Sequence, residues 1–152
     1  MTRRIFILLC LTLLVAGAAT AEETLEQLKE RAESAAADRK PLLYAEVVQR
    51  EIALADKLFT DGDAEKAHAT VKEAVGYAEK CREAARQQPR KIKDAEIRLR
   101  KAERRLNEIR RTLALEDQAD VQAAADRIAE LRTQLLDQMF APKRKSKDKE
   151  KP

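Results

Sequence analysis

Between Asp63 and Leu113 the apolar positions follow one another in alternating steps of three and four residues. They run Ala64, Ala67, Val71, Ala74, Ala78, Cys81, Ala85, Gln88, Ile92, Ala95, Leu99, Ala102, Leu106, Ile109 and Leu113, with Gln88 the only polar member. A heptad seam of this kind places one apolar stripe along a helix. The spacing predicts a single long helix over about 63–114, roughly 75 Å at 1.5 Å per residue. Pro89 falls inside it, where proline either starts a new helix or kinks a continuous one at a cost of about 3 kcal/mol. The seam keeps its register on both sides, which favours the kink.

The flanking patterns predict three more helices. Residues 42–60 form the most apolar stretch after the first 21. At 100° per residue, Leu43, Tyr44, Val47, Val48, Ile52, Leu54, Ala55, Leu58 and Phe59 fill about half the circumference, and Glu51 is the one charge that intrudes. One antiparallel neighbour cannot cover so wide a face. Tyr44, Val48, Ile52 and Phe59 therefore need a second cover, and they are the candidate partner-binding residues. Residues 22–40 carry a thinner stripe of Leu25, Leu28, Ala32 and Ala35 or Ala36. Pro41 predicts a break near Lys40, with Asp38 as a candidate cap. At Asp61-Gly62-Asp63, Gly62 suits the left-handed conformation that ends a helix, and Asp63 supplies a capping acceptor for the next.

After Leu113 the seam slips by one residue, and Asp117 with Asp120 resembles a capping arrangement for a last helix over 118–140. That helix carries Val121, Ala124, Ile128, Leu131, Leu135 and Met139, and its short link sets it antiparallel to 92–113. Charge agrees with the pairing: 90–111 hold ten Lys or Arg against four acids, and 116–140 hold two against six. With tight turns and a straight long helix, 22–40 and the last helix would both flank 91–113. The expected class is all-α, with elongated antiparallel hairpins or coiled coil around one long helix and two- to three-helix packing in a single domain over 22–140. Gly76 costs about 1 kcal/mol inside a helix and suggests close approach near Tyr44 or Val48.

Composition supports this class, since the chain has three Gly, four Pro and 3% aromatic residues. Residues 1–21 read as an export signal with a basic start at Arg3 and Arg4, an apolar run from Ile5 to Val15 and a small-residue site ending at Ala21. The run is too short to span a membrane, so cleavage after Ala21 is expected to leave a mature chain without a transmembrane helix, periplasmic or secreted, with an uncleaved anchor as the alternative. That chain keeps one cysteine, Cys81, and so has no internal disulfide. Residues 141–152 hold six Lys or Arg and two acids without apolar pattern, which predicts a disordered tail and a candidate contact for anionic surfaces. The formal charge of +4 divides into +2 from the signal, +4 from the tail and −2 from the body.

Around Gly62 the chain resembles a tetratricopeptide unit. Leu54, Ala55 and Leu58 before the turn, and Ala67, Val71 and Ala74 after it, fall where that repeat places its packing residues. Glu51 and Glu79 depart from the repeat, and a shift of 34 residues finds no second copy. The resemblance implies a solitary helical hairpin and not the peptide groove of a stacked array. The combination of signal, hairpin and long helix is similar to that of exported bacterial helical proteins.

No candidate chemistry converges. His68 is the only histidine and has no obvious ligand cluster, so a surface or hairpin-packing role is expected. Cys81 lies on the seam as a small hydrophobe, its alternative being an exposed thiol that crosslinks dimers. Asp61, Asp63 and Glu65 lack the spacing of a calcium loop. The stretch Arg98, Arg100, Lys101, Arg104, Arg105, Arg110 and Arg111 is expected to be self-paired, through Asp94 with Arg98 and Glu96 with Arg100, and no aromatics interleave for nucleic-acid stacking. No cofactor, metal, enzymatic activity or nucleic-acid partner is expected. Two functions are: an exported structural or protein–protein interaction module acting through the apolar face of the 42–85 hairpin, with itself or a partner, and a holdase-type periplasmic chaperone. The second is a likeness to small exported basic helical chaperones in size and shape alone.

Overall fold

The computed structural model describes residues 23–141. The expected signal over 1–21, and the tail beyond Ala141, lie outside the described residues. Within them the chain is all-α, with five helices in order: α1 (Leu25–Ser34), α2 (Lys40–Thr60), α3 (Ala64–Arg86), α4 (Ile92–Arg110) and α5 (Leu115–Phe140). None of these helices is long and apolar enough to cross a membrane.

Local signals set the ends of these helices. Thr24 caps α1 in a reciprocal box, accepting from Gln27 N at 3.2 Å while its own N–H donates to Gln27 Oε1 at 3.0 Å. Gly62 turns between α2 and α3 at a φ of 83°, a conformation that costs glycine little, and Asp63 accepts from Lys66 N at the start of α3. Two expected caps are not caps. Asp38 leaves α2 without a side-chain cap, because the helix starts at Lys40 with Pro41 buried in its first turn. Asp117 and Asp120 do not cap α5 because that helix begins at Leu115 and already contains both.

The helix expected over 63–114 is in fact two helices. α3 ends at Arg86, Gln88 leaves helical geometry at φ −126° and ψ 76°, and Pro89–Lys91 makes one turn of 3-10 helix before α4. Pro89 opens that turn, where its missing N–H leaves no helix bond unmade. The chain reverses there. Leu42 lies beside Ile97 and Arg98, Ile52 beside Ala102, and Asp56 pairs with Arg105, so α4 runs parallel to α2. α5 returns antiparallel to α4 through Glu96 and Arg132, and parallel to α3 through His68 with Asp117, Glu79 with Arg127, and Arg86 O with Gln138. The result is an up-down-up-down bundle in which α2 and α5 each touch both α3 and α4. The seam hides this reversal because Gln88 holds its place in the turn. A stripe reports which residues face the core, and α3 and α4 turn theirs into one core from different corners.

The position of α1 also departs from expectation. It does not flank 91–113 but folds back on α2, with Lys29 reaching Glu51 at 2.7 Å and Glu73 of α3 at 2.8 Å. The core is continuous from Leu28 and Ala32 of α1, through Val48, Ile52, Ala78 and Cys81, to Leu99, Leu106, Ile128, Leu131 and Leu135. Each fully buried Leu or Ile contributes about 2 kcal/mol relative to exposure. The expected close approach at Gly76 is absent, since a Cβ there would meet nothing within 4 Å.

Candidate functional site

The four residues expected to meet a partner lie within the fold. Tyr44 is 5%, Val48 0% and Ile52 1% exposed. Phe59 is half-buried and stands edge-on to His68 at 5.1 Å. Tyr44 donates its hydroxyl to Glu33 Oε2 at 3.0 Å beneath α1, and Ile52 points toward Ala102 of α4. Burial, then the Glu33 carboxylate, pushes the Tyr44 pKa up to about 12. The second cover that the half-apolar wheel called for is supplied by α1 on one side and α4 on the other. Tyr44, Val48 and Ile52 are core, Phe59 packs half-buried against it, and the α2 part of the 42–85 face is covered.

The other sequence candidates are also absorbed into packing. Cys81 is fully buried, its Sγ donates to Pro41 O at 3.2 Å, and burial pushes the thiol up to about 12. A crosslinking thiol is therefore not exposed. His68 ties α3 to α5, with Nε2 at 2.9 Å from Asp117 Oδ1 and Nδ1 at 3.5 Å from Asp120 Oδ2. Among the described residues no group of three or more His, Cys, Asp or Glu side chains could hold a metal ion.

Two buried acids carry the strongest internal electrostatics. Glu96 is 2% exposed and clamped at 2.8 Å by both Arg100 and Arg132, and Arg132 also pairs with Glu103. Burial opposes its charge, but the two guanidinium groups outweigh it and hold the carboxyl below its ordinary range. Glu51 is 1% exposed and meets Lys29 at 2.7 Å, as a close ion pair rather than an aligned hydrogen bond. Here burial wins and raises the carboxyl, while the three carboxylates of Glu51, Glu73 and Glu26 overcome burial at Lys29 and hold it protonated. The wheel position of Glu51 signalled a buried charge. Its partner could not be found that way, because Lys29 comes from another element.

The expected self-pairing of the basic stretch holds only in part. Arg100 pairs with Glu96, Arg104 with Glu108, and Arg105 with Asp56 and Glu108. The expected Asp94–Arg98 pair does not form. Among the described residues, Arg39, Lys40, Arg90, Lys91, Lys93, Arg98 and Lys101 have no carboxylate within salt-bridge distance, and Lys57, Lys72, Arg110 and Arg111 lack one elsewhere. Of the first group, Arg98 and Lys101 line the α2–α4 seam, and Arg39 and Lys91 line the end of the bundle where the α1–α2 link meets the Pro89 turn.

That seam is open. A hollow of about 640 Å³ lies between the α1–α2 link and Lys91, with Arg31, Arg39 and Leu42 on its walls. A second, of about 420 Å³, shares Leu42 and continues past Ile97 to Arg98 and Lys101. A third, of about 140 Å³, shares Gln49 and Lys101 and ends at Arg105. Together they make one cationic groove. A separate hollow of about 470 Å³ between α3 and α5 is lined by Val71, Val75 and Ala124, with His68, Lys72, Asp120 and Arg127 also on its walls.

Compared with known protein families, curated proteins and solved structures, the chain matches none. What it does has to be read from its own side chains.

Proposed function

We propose that the chain is a non-enzymatic helical protein–protein interaction module, exported by the pattern of residues 1–21. Its working surface is the cationic α2–α4 groove rather than the apolar 42–85 hairpin face. The observation that carries this is the imbalance of ion pairing: Arg100 and Arg132 on the α4–α5 seam are matched by Glu96 and Glu103, while Arg98 and Lys101 on the α2–α4 seam have no carboxylate within salt-bridge distance among the described residues and only Arg105 there is paired, with Asp56 and Glu108. Unmatched surface charge steers association with an oppositely charged partner and contributes little to the fold itself. The non-enzymatic reading is supported by the buried acids, since Glu51 and Glu96 are held by Lys29, Arg100 and Arg132 instead of facing a hollow.

The test is lysine crosslinking of the full chain in extract of the cells that make it, read by mass spectrometry. Crosslinks to other proteins are expected at Lys91 and Lys101. Crosslinks spread evenly, or centred on Lys57, Lys66 and Lys72, would overturn the assignment.

A holdase-type chaperone is the second reading, favoured by the way α1 is held. It contributes only Leu28 and Ala32 as buried side chains over the α2–α3 hairpin, and ion pairs hold most of the rest. Its release would uncover Tyr44 and its apolar neighbours. Suppression of aggregation of a heat-unfolded client by stoichiometric full chain supports this reading, and undiminished aggregation removes it.

A further inference from the structure

The geometry points to an acidic peptide segment with an apolar centre, supplied by a partner protein in extended form, as the occupant of the α2–α4 groove. The inference rests on the interaction reading above and adds the chemistry of the partner.

Length sets the first limit. From Lys91 to Arg105 the groove follows about 14 residues of α4, roughly 21 Å at 1.5 Å per residue. An extended chain at about 3.3 Å per residue covers that distance with six or seven residues. Charge sets the second. Arg39 and Lys91 stand at one end, Arg98 and Lys101 near the middle, and none of the four has a carboxylate partner among the described residues. Between these two pairs the lining holds two apolar side chains, Leu42, which is half-buried, and Ile97, which is 37% exposed, beside the polar Gln49 and Asp94. Between Lys91 and Lys101, about ten residues of α4 or roughly 15 Å, carboxylates on either side of a central aliphatic side chain match that sequence of surfaces.

The same lining separates a peptide from other polyanions. Asp38 and Asp94 also line the groove, and they would repel a chain that carries a negative charge at every unit. Gln49 offers an amide that can both donate to and accept from a peptide backbone. No aromatic side chain lines any of the three hollows, so a single-stranded nucleic acid would find no stacking platform. α2 and α4 also share a smaller contact than the α2–α3 and α4–α5 pairs, and the groove lies outside their buried residues Ile52 and Ala102.

The experiment is fluorescence anisotropy with the full chain and a labelled octapeptide of glutamates flanking a central Leu-Ile. An all-glutamate octapeptide, an octalysine and inorganic polyphosphate serve as competitors. Saturable binding is expected, reduced about tenfold or more in the Arg98→Glu/Lys101→Glu variant and several-fold in Ile97→Ser, with octalysine inert. A milder Arg98→Gln/Lys101→Gln pair, checked by its thermal midpoint, separates lost charge from lost fold and should show an intermediate affinity. Equal affinity of parent and charge-reversed chain overturns the groove. Polyphosphate or the all-glutamate peptide competing as well as the Leu-Ile peptide overturns the amphipathic-peptide assignment. If the peptide fails to bind while crosslinks still gather at Lys91 and Lys101, the peptide chemistry falls and the interaction reading stands. If the crosslinks lie elsewhere, both fall.

Discussion

The side of α4 turned to α5 and the side turned to α2 both carry cations, but the two sides are partnered differently. Toward α5, Glu96 and Glu103 meet Arg132, and Glu96 meets Arg100 as well, in a network whose central carboxylate is 2% exposed. Toward α2, Arg98 and Lys101 line an open groove with Leu42 and Gln49, and only Asp56 with Arg105 closes the far end. Charge density therefore does not distinguish an assembly surface from a binding surface; partnering and burial do. A buried, doubly paired acid is costly to disturb, because removing one partner leaves a charge stranded. An exposed, unpaired cation costs little to remove.

The largest effect is expected where that network is broken at its centre. Glu96→Ala should destabilise the bundle by about 3 kcal/mol, measured by chemical denaturation, since Arg132 loses its main partner while still largely buried. Lys29→Ala should cost about 2 kcal/mol at neutral pH by leaving Glu51 without a base. Because burial already raises the Glu51 carboxyl, a proton replaces the lost lysine as pH falls. The Lys29→Ala penalty should therefore shrink in acid, and a penalty that grows in acid would contradict the account.

In the parent chain the pH dependence has the opposite sign. The Lys80 hydrogen bond, opposed by burial and aided by Tyr44, lowers Glu33, and the Arg132 and Arg100 pairs lower Glu96 against burial. Their stabilisation is present above the ordinary carboxylate value of 4.5 and is lost as pH falls through it toward their lower folded values. Thermal midpoints should fall below about pH 4.5, and less steeply in Glu96→Gln. A smaller effect comes from Gly76, where the open space around a Cβ predicts that Gly76→Ala stabilises by about 1 kcal/mol. The smallest is at the groove, where Arg98→Glu/Lys101→Glu should change stability by less than about 0.5 kcal/mol.

How much of this was legible in the sequence differs by level. The buried stripe mostly was: Ala67, Val71, Ala74, Ala78, Cys81, Ala85, Ile92, Ala95, Leu99, Ala102, Leu106 and Ile109 are buried, while Ala64, Gln88 and Leu113 of the same seam are only partly so. The direction of the chain at Pro89 was not, because a heptad pattern fixes a face and carries no record of which neighbour it meets. That one ambiguity displaced α1 as well, since its expected place beside 91–113 depended on a straight helix. The apolar half-face of α2 correctly demanded a second cover. It was misread as a surface because the covers, Leu28 and Ala32 of α1 and Ala102 of α4, come from elements whose positions depend on that reversal. The cationic groove was half-legible. The basic stretch stood out, but local spacing predicted pairing for Arg98 with Asp94, while the cross-helix acid that does pair with the stretch, Asp56 with Arg105, lies on α2.

The two faces of α4 can be set against each other in one measurement, the thermal midpoint of Arg98→Glu/Lys101→Glu beside that of Arg132→Ala. The groove variant is expected within about 2 °C of the parent and the Arg132→Ala chain lower by about 10 °C, the shift for a loss near 3 kcal/mol in a domain of this size. A groove variant that melts as early as Arg132→Ala would show that Arg98 and Lys101 hold the bundle together, and the distinction between a closed and an open side of α4 would be wrong.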